Sequence, residues 1–160
     1  MRKRLTAILL ALCVFASVLI GVPAAGAENY TAYVIANTLA VHQFPDNSSK
    51  LVAALGFGAS LTCTAVIDGW AQVRGDNGTV GYCALSDLSA SNPNVLNIAV
   101  SINAASAPAY LLPSTDIPAS VLLPKGTTYI AVAVTRDNLW VRLKSGNYYG
   151  YVEAKYLTAR

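Results

Sequence analysis

A single histidine, His42, and three cysteines, Cys13, Cys63 and Cys83, are the residues of this 160-residue chain best suited to covalent or metal chemistry. A thiol nucleophile needs a base within reach and a setting that lowers its pKa, typically a helix start. Cys83 instead follows Gly81-Tyr82 in a strand-like stretch, and no base adjoins either later cysteine in sequence, so His42 reads as a surface residue beside a loop. One histidine, two cysteines and scattered carboxylates fall short of the three or four ligands of a zinc site. Asp46, Asp68, Asp76, Asp87, Asp116, Asp137 and Glu153 mostly lie in turn-forming stretches, where Asp is common for backbone reasons. The expectation is therefore no catalytic residue, no metal and no cofactor. Aromatic residues remain, and Trp70 and Trp140 each follow a turn and precede a strand, where part of the indole faces solvent. The candidate ligand-binding set is Phe44, Asp46, Trp70, Asn138, Trp140 and Tyr148. Rings offer an apolar face and Asp or Asn offers hydrogen bonds, a combination suited to sugars or peptides.

The compartment follows from the first residues, where "MRKR" precedes the apolar run "LTAILLALCVFASVLIGV" and the small-residue stretch "PAAGA". This is the pattern of a secretory signal peptide, residues 1–27, cleaved after Ala27, with a retained membrane anchor as the competing reading of a run borderline in length for a bilayer. Cys13 follows Leu12, where a lipid-anchored signal needs a small residue, so no lipid anchor is expected. Arg2, Lys3 and Arg4 leave with the signal, so the mature chain has eight basic and eight acidic residues. A neutral surface argues against nucleic acid and anionic membrane as partners. No later segment is long and apolar enough to span a bilayer, so no membrane contact is expected after cleavage. Export also bears on Cys63 and Cys83, since thiols usually oxidise outside the cell. They are expected to form a disulfide, closing a loop of about 20 residues and adding roughly 3 kcal/mol.

The elements that hold these residues come in two copies. An offset of 68 places Asn29 on Asn97, Pro45 on Pro113, Leu55 on Leu123 and Gly58 on Gly126. Trp70 meets Trp140 at an offset of 70, and Gly81-Tyr82 meets Gly150-Tyr151 at 69, so the halves differ by small loop changes. The same alignment sets Ala133 near Cys63 and Val152 opposite Cys83, which marks both cysteines as inward-facing strand positions. Short apolar runs such as "LTCTAVI", "WAQVR" and "LWVRL" alternate with turn stretches such as "FPDNSS", "GFGA" and "GDNG". "DNG" and its counterpart "SGN" carry the Asn and Gly of tight hairpins. No amphipathic helix of three turns appears, so the fold class is all-β, as small barrels, with the junction in "SASNPN", Ser89 to Asn94.

In this order, Leu39 and Val41, Pro45 to Ser48, Leu51 to Leu55, Gly58, Gly69-Trp70, Val73, Gly81-Tyr82 and Leu88 make the first half resemble the bacterial SH3-like (SH3b) domain. The second half keeps Pro113-Ser114, Leu123, Lys125-Gly126, Trp140, Leu143, Gly150-Tyr151-Val152 and Leu157, with Ala107 and Ala109 in place of the first strand's larger residues. The resemblance implies two SH3-like barrels in tandem, residues 28–92 and 93–160. It further implies a secreted, non-catalytic module, extracellular or attached to the cell wall, that recognises peptidoglycan through its aromatic residues. A tandem pair raises avidity on a polymer when both sites engage. The alternative is an extracellular scaffold that holds a partner protein's peptide in a barrel groove.

Overall fold

A computed structural model describes residues 29–160, so the expected signal peptide lies outside the described residues. In the first half β1 (Tyr30–Val34), β2 (Thr38–His42), β3 (Leu51–Gly56), β4 (Ser60–Ile67), β5 (Trp70–Arg74), β6 (Val80–Ala84) and β7 (Leu88–Ser89) make one antiparallel sheet, ordered β3-β2-β6-β5-β4-β1-β7. Alternation along each strand decides which side turns inward. Ala32 and Val34, Leu39 and Val41, Leu61 and Cys63, Ala71 and Val73, Cys83 and Leu88 all meet in one core. Residues from one face of six strands can share a core only if the sheet curls around it.

The second half repeats this plan. Strands β8 (Ile98–Ile102), β11 (Thr128–Val134), β12 (Trp140–Ser145), β13 (Tyr148–Glu153) and β14 (Leu157–Ala159) form a five-stranded sheet, ordered β13-β12-β11-β8-β14. A ribbon of β9 (Ser106–Ala109) and β10 (Val121–Pro124) joins it through the Tyr110–Tyr151 bridge and supplies Ala107, Ala109 and Leu123 to the second core. In the first half, β2 meets β6 through the corresponding pair, His42 with Tyr82. The described residues are nearly all β, in a seven-stranded sheet followed by a five-stranded sheet and its two-stranded ribbon.

Register fixes the correspondence residue by residue. Val73 lies between Cys63 and Gly81, and Leu143 lies between Ala131 and Gly150. Ala131, and not Ala133, is therefore the counterpart of Cys63. The offset grows by two only after the strand, where Asp68-Gly69 is a two-residue turn but residues 136–139 separate Thr135 from Trp140. Asp68 and Gly69 both have positive φ, 47° and 82°, the requirement of a two-residue hairpin turn. Around "DNG" the turn is longer than expected. Arg74 pairs with Val80, the Gly75 amide donates to the Thr79 carbonyl at 2.9 Å, and the left-handed residue is Gly78 alone. "SGN" does make a two-residue turn, because Ser145 pairs with Tyr148 and Gly146 has φ 60°.

The two Gly-Tyr pairs differ in how tightly the glycine is held. A Cβ on Gly81 would stand 2.6 Å from Val41 Cγ1 and 2.8 Å from the His42 carbonyl oxygen, whereas one on Gly150 would meet nothing closer than the Tyr110 oxygen at 3.6 Å. Gly81→Ala is expected to cost about 1 to 3 kcal/mol by overpacking, and Gly150→Ala well under 1 kcal/mol. Urea midpoints of the two variants test this, and equal losses would contradict the packing difference between the two glycines.

The expected disulfide is not formed: Cys63 and Cys83 are free, buried thiols. Strand β5 lies between their strands, with Cys63 opposite Val73 and Cys83 opposite Ala71. Two strand spacings put their backbones about 9 to 10 Å apart, beyond the roughly 7 Å that a disulfide spans. The Cys63 thiol donates to the Ala65 carbonyl at 3.5 Å. Burial, with Cys63 and Asp87 nearby, pushes Cys83 up to about 12. Burial likewise pushes Tyr151 up to about 12. Both groups are neutral in the fold and ionise more readily unfolded, so their stabilisation is full below the unfolded pKa and lost as pH rises towards 12. Steep alkaline unfolding is the expected result. At pH 8 a thiol reagent should label neither cysteine in the folded chain and both in denaturant; two thiols still silent in denaturant would restore the bridge.

Candidate functional site

The two halves carry matching aromatic groups, each built from three strands. On β2, β5 and β6 the outward residues include His42, Trp70 and Tyr82, and in the second half the matching positions are Tyr110, Trp140 and Tyr151. The rings of His42 and Trp70 meet edge to face, 6.2 Å between centroids with planes at 89°. Tyr110 and Trp140 meet in the same way at 5.4 Å and 86°. Edge-to-face contact sets the positive ring edge against the negative face.

What differs is the covering. In the second half the face is closed by Ile35 and Phe57 of the first, which join Ala133, Trp140, Tyr151 and Tyr110 in a third core. Trp140 is only 7% exposed. The Tyr151 hydroxyl donates to the Phe57 carbonyl at 2.7 Å, and the Asn37 amide donates to the Asp137 carboxylate at 2.6 Å. Gly56 has no Cβ for a reason: one would stand 2.6 Å from the Tyr151 ring. The Trp140 indole is thus a packing residue of the junction between the halves, where its sequence position had suggested an exposed barrel edge.

In the first half the face stays open. Trp70, Gln72 and Tyr82 are half-buried, and Gln72 Nε2 donates to the Tyr82 hydroxyl at 3.0 Å while Thr64 donates to Gln72 Oε1 at 2.9 Å. His42 Nδ1 lies 3.0 Å from the Ser49 carbonyl oxygen. A carbonyl only accepts, so the proton of the neutral ring sits on Nδ1 and Nε2 is left as the acceptor. The arrangement is a platform of indole edge and imidazole beside a row of amide and hydroxyl groups. It can stack a ring and hydrogen-bond its edge. Among the described residues no three His, Cys, Asp or Glu side chains are grouped so as to hold a metal ion.

The remaining candidates are scattered. Phe44 is 58% exposed, in the loop that Ser49 ties together by accepting from the Phe44 amide at 3.2 Å and donating to the Phe44 carbonyl at 3.0 Å. Asp46 spends both carboxylate oxygens on Ser48, accepting from its amide and its hydroxyl at 2.8 Å each, and these bonds hold its carboxyl below the usual range. Asn138 is exposed at φ 60°, a conformation Asn tolerates. Beside it, Asp137 is also held low, first by the Thr135 hydroxyl and then by the Leu139 amide. Tyr148 is 82% exposed at the β12–β13 turn. It borders a cleft of about 780 Å³ that runs from Ala54, Leu55 and Gly56 to Leu111, Leu112 and Ile117 across the junction. His42 was missed in the sequence; its offset of 68 from Tyr110, another aromatic residue, is the signal that marks it.

No protein-family profile matches the chain, and no curated protein matches it. Two solved structures from Trichomonas vaginalis are similar. NlpC2 is 14% identical with a TM-score of 0.35, over 83% of this chain and 49% of that one. NlpC1 is 15% identical with a TM-score of 0.35, over 90% of this chain and 50% of that one. The chain thus spans about half the length of these two structures.

Proposed function

We propose that this chain is a secreted, non-catalytic module that binds bacterial cell-wall peptidoglycan on the open face of its first half. One observation carries the reading: of two equivalent aromatic faces, the one with Trp140 is closed by the junction and the one with Trp70 is not. An indole edge beside His42 Nε2, Gln72 and Tyr82 suits a sugar ring or a peptide stem, since an apolar surface adjoins groups that both donate and accept. The resemblance of the first half to SH3b domains supports the same class of ligand. Because the second face is filled, the module has one such site, and avidity from two equivalent sites is not part of the mechanism.

The test is co-sedimentation of residues 28–160 with purified sacculi, beside a Trp70→Ala variant shown to be folded. Binding that falls about tenfold, the loss of one good aromatic contact, is expected for Trp70→Ala. No binding by the intact chain to sacculi from several wall types would overturn the proposal. A second reading, an extracellular protein partner, draws on β10, a strand whose Val121 and Leu122 are 53% and 63% exposed and whose partner is β9 alone. A stable protein complex unaffected by Trp70→Ala would favour it.

A further inference from the structure

Arg142 lies in the junction, 9% exposed, with its cation half used. Its Nη1 donates to the Gly58 carbonyl and, at 2.6 Å, to Asn94 Oδ1. Asn94 is itself held by donating from Nδ2 to the Gly58 carbonyl and to Asn92 Oδ1, both at 2.8 Å. These bonds account for Nη1 alone. Among the described residues Nε is buried with no hydrogen-bond partner, and Nη2 is in none of the side-chain hydrogen bonds. Among the described residues no carboxylate lies within ion-pair distance of the guanidinium; the ion pair found there is Lys155 with Glu153. A buried cation is costly unless it is paired, so an arginine left with a free edge is unusual.

That residue opens onto a cleft of about 330 Å³, bordered also by Tyr33, Ser60, Asn92, Asn94, Lys144 and Tyr149. None of these residues is acidic. Tyr149 stacks on the guanidinium, 4.1 Å from Cζ to the ring centroid, and Lys144 Nζ lies 6.0 Å from the same centroid. The cleft thus presents two cations, Arg142 and Lys144, and several neutral donors, and the Nε and Nη2 hydrogens of one arginine edge have no partner among the described residues. That edge offers two parallel N–H groups at the spacing of the two oxygens of a carboxylate, the geometry of a bidentate pair.

We propose that this cleft binds the free carboxylate of a small ligand, such as a peptide C-terminus. The Arg142 edge receives the carboxylate and Lys144 adds the second charge. Nε is covered in the unliganded protein, so side chains at the cleft such as Tyr149, exposed at 43%, would have to shift as the oxygens arrive. Charge makes the choice of ligand: an uncharged group would leave the guanidinium uncompensated, and the size of the cleft admits one or two residues and excludes a folded partner. The site is separate from the Trp70 face and does not depend on what that face binds. A purely structural Arg142, serving only to tie Gly58 and Asn94 to β12, makes no use of Lys144 and predicts no saturable anion binding.

The experiment follows the Arg142 side-chain N–H signals of residues 29–160, which hold all three sheets and all three cores. N-acetyl-alanyl-alanine is titrated against the same dipeptide with a C-terminal amide, and against inorganic phosphate. Saturable movement of the Arg142 Nε–H signal by the acid is expected. The amide should bind about tenfold more weakly or not at all, an ordinary loss for one charge-assisted contact. Lys144→Gln, at an exposed position that should leave the fold intact, should weaken the acid several-fold. Equal effects of acid and amide, or no movement by either, would overturn the proposal. Phosphate binding more tightly than the acid would also overturn it, by assigning the cleft to another anion. Trp70→Ala should leave these shifts unchanged, so failure of the carboxylate site and failure of the wall-binding reading are told apart.

Discussion

Trp140→Ala should lower stability by about 3 to 5 kcal/mol, the usual cost of truncating a buried aromatic residue, and Trp70→Ala by roughly half as much or less. Both residues follow a turn, open a strand and meet one aromatic ring edge to face. Trp140 also packs among Phe57, Ala133 and Tyr151, and its backbone amide donates to the buried Thr135 hydroxyl at 3.1 Å. At the position matching Thr135 the first half has Ile67, which is 48% exposed. The difference between the two indoles is therefore the presence of the other half of the molecule. Urea denaturation of both variants checks the asymmetry. Iodide quenching gives a second measure: in Trp140→Ala the remaining emission, from Trp70, should be quenched readily, and in Trp70→Ala it should be shielded. Equal costs and equal quenching would mean that the junction is open in solution.

Much of this architecture is written in the chain and some of it is not. The all-β class and the position of the longer loop were legible, because alternation and turn residues are local. The Trp and Gly-Tyr segments do mark corresponding strands, and Gly58 and Gly126 both have φ 80°. The closure of the second face was not legible. Gly56, Phe57 and Gly58 lie in "GFGA", which reads as a turn, and Phe57 spends its ring and its carbonyl on residues 76 to 94 positions away. Nothing local marks a turn residue as a core residue of another unit. The disulfide expectation failed for a similar reason: compartment and count say that two thiols can meet, and only register says that a strand lies between them. Asp46 was a candidate for its carboxylate, which the structure spends on its own loop.

Because Phe57 belongs to neither main core, its removal should separate the halves before it unfolds either one. The first core draws on β1, β2 and β4 to β7, and the second on residues from Val100 to Val152, so each sheet keeps its own apolar interior in Phe57→Ala. What the variant loses is the ring at the centre of the third core, packed with Trp140 and Tyr151, at about 3 to 5 kcal/mol. Such a loss falls on the coupling between two units, and a coupled pair unfolds as one only while that coupling exceeds the difference in their separate stabilities. Wild-type unfolding is expected as a single transition seen alike by Trp70, which reports on the first half, and Trp140, which reports on the second. In Phe57→Ala the two reporters should give separate midpoints, read in single-tryptophan backgrounds with phenylalanine at the other position. Tyr151→Phe supplies a milder step, since it removes the 2.7 Å bond to the Phe57 carbonyl and leaves the ring. It should lower the shared midpoint by about 1 kcal/mol without splitting it. Midpoints that stay together in Phe57→Ala would mean that the strap of Arg142, Asn94 and Gly58, and not the aromatic core, couples the two halves.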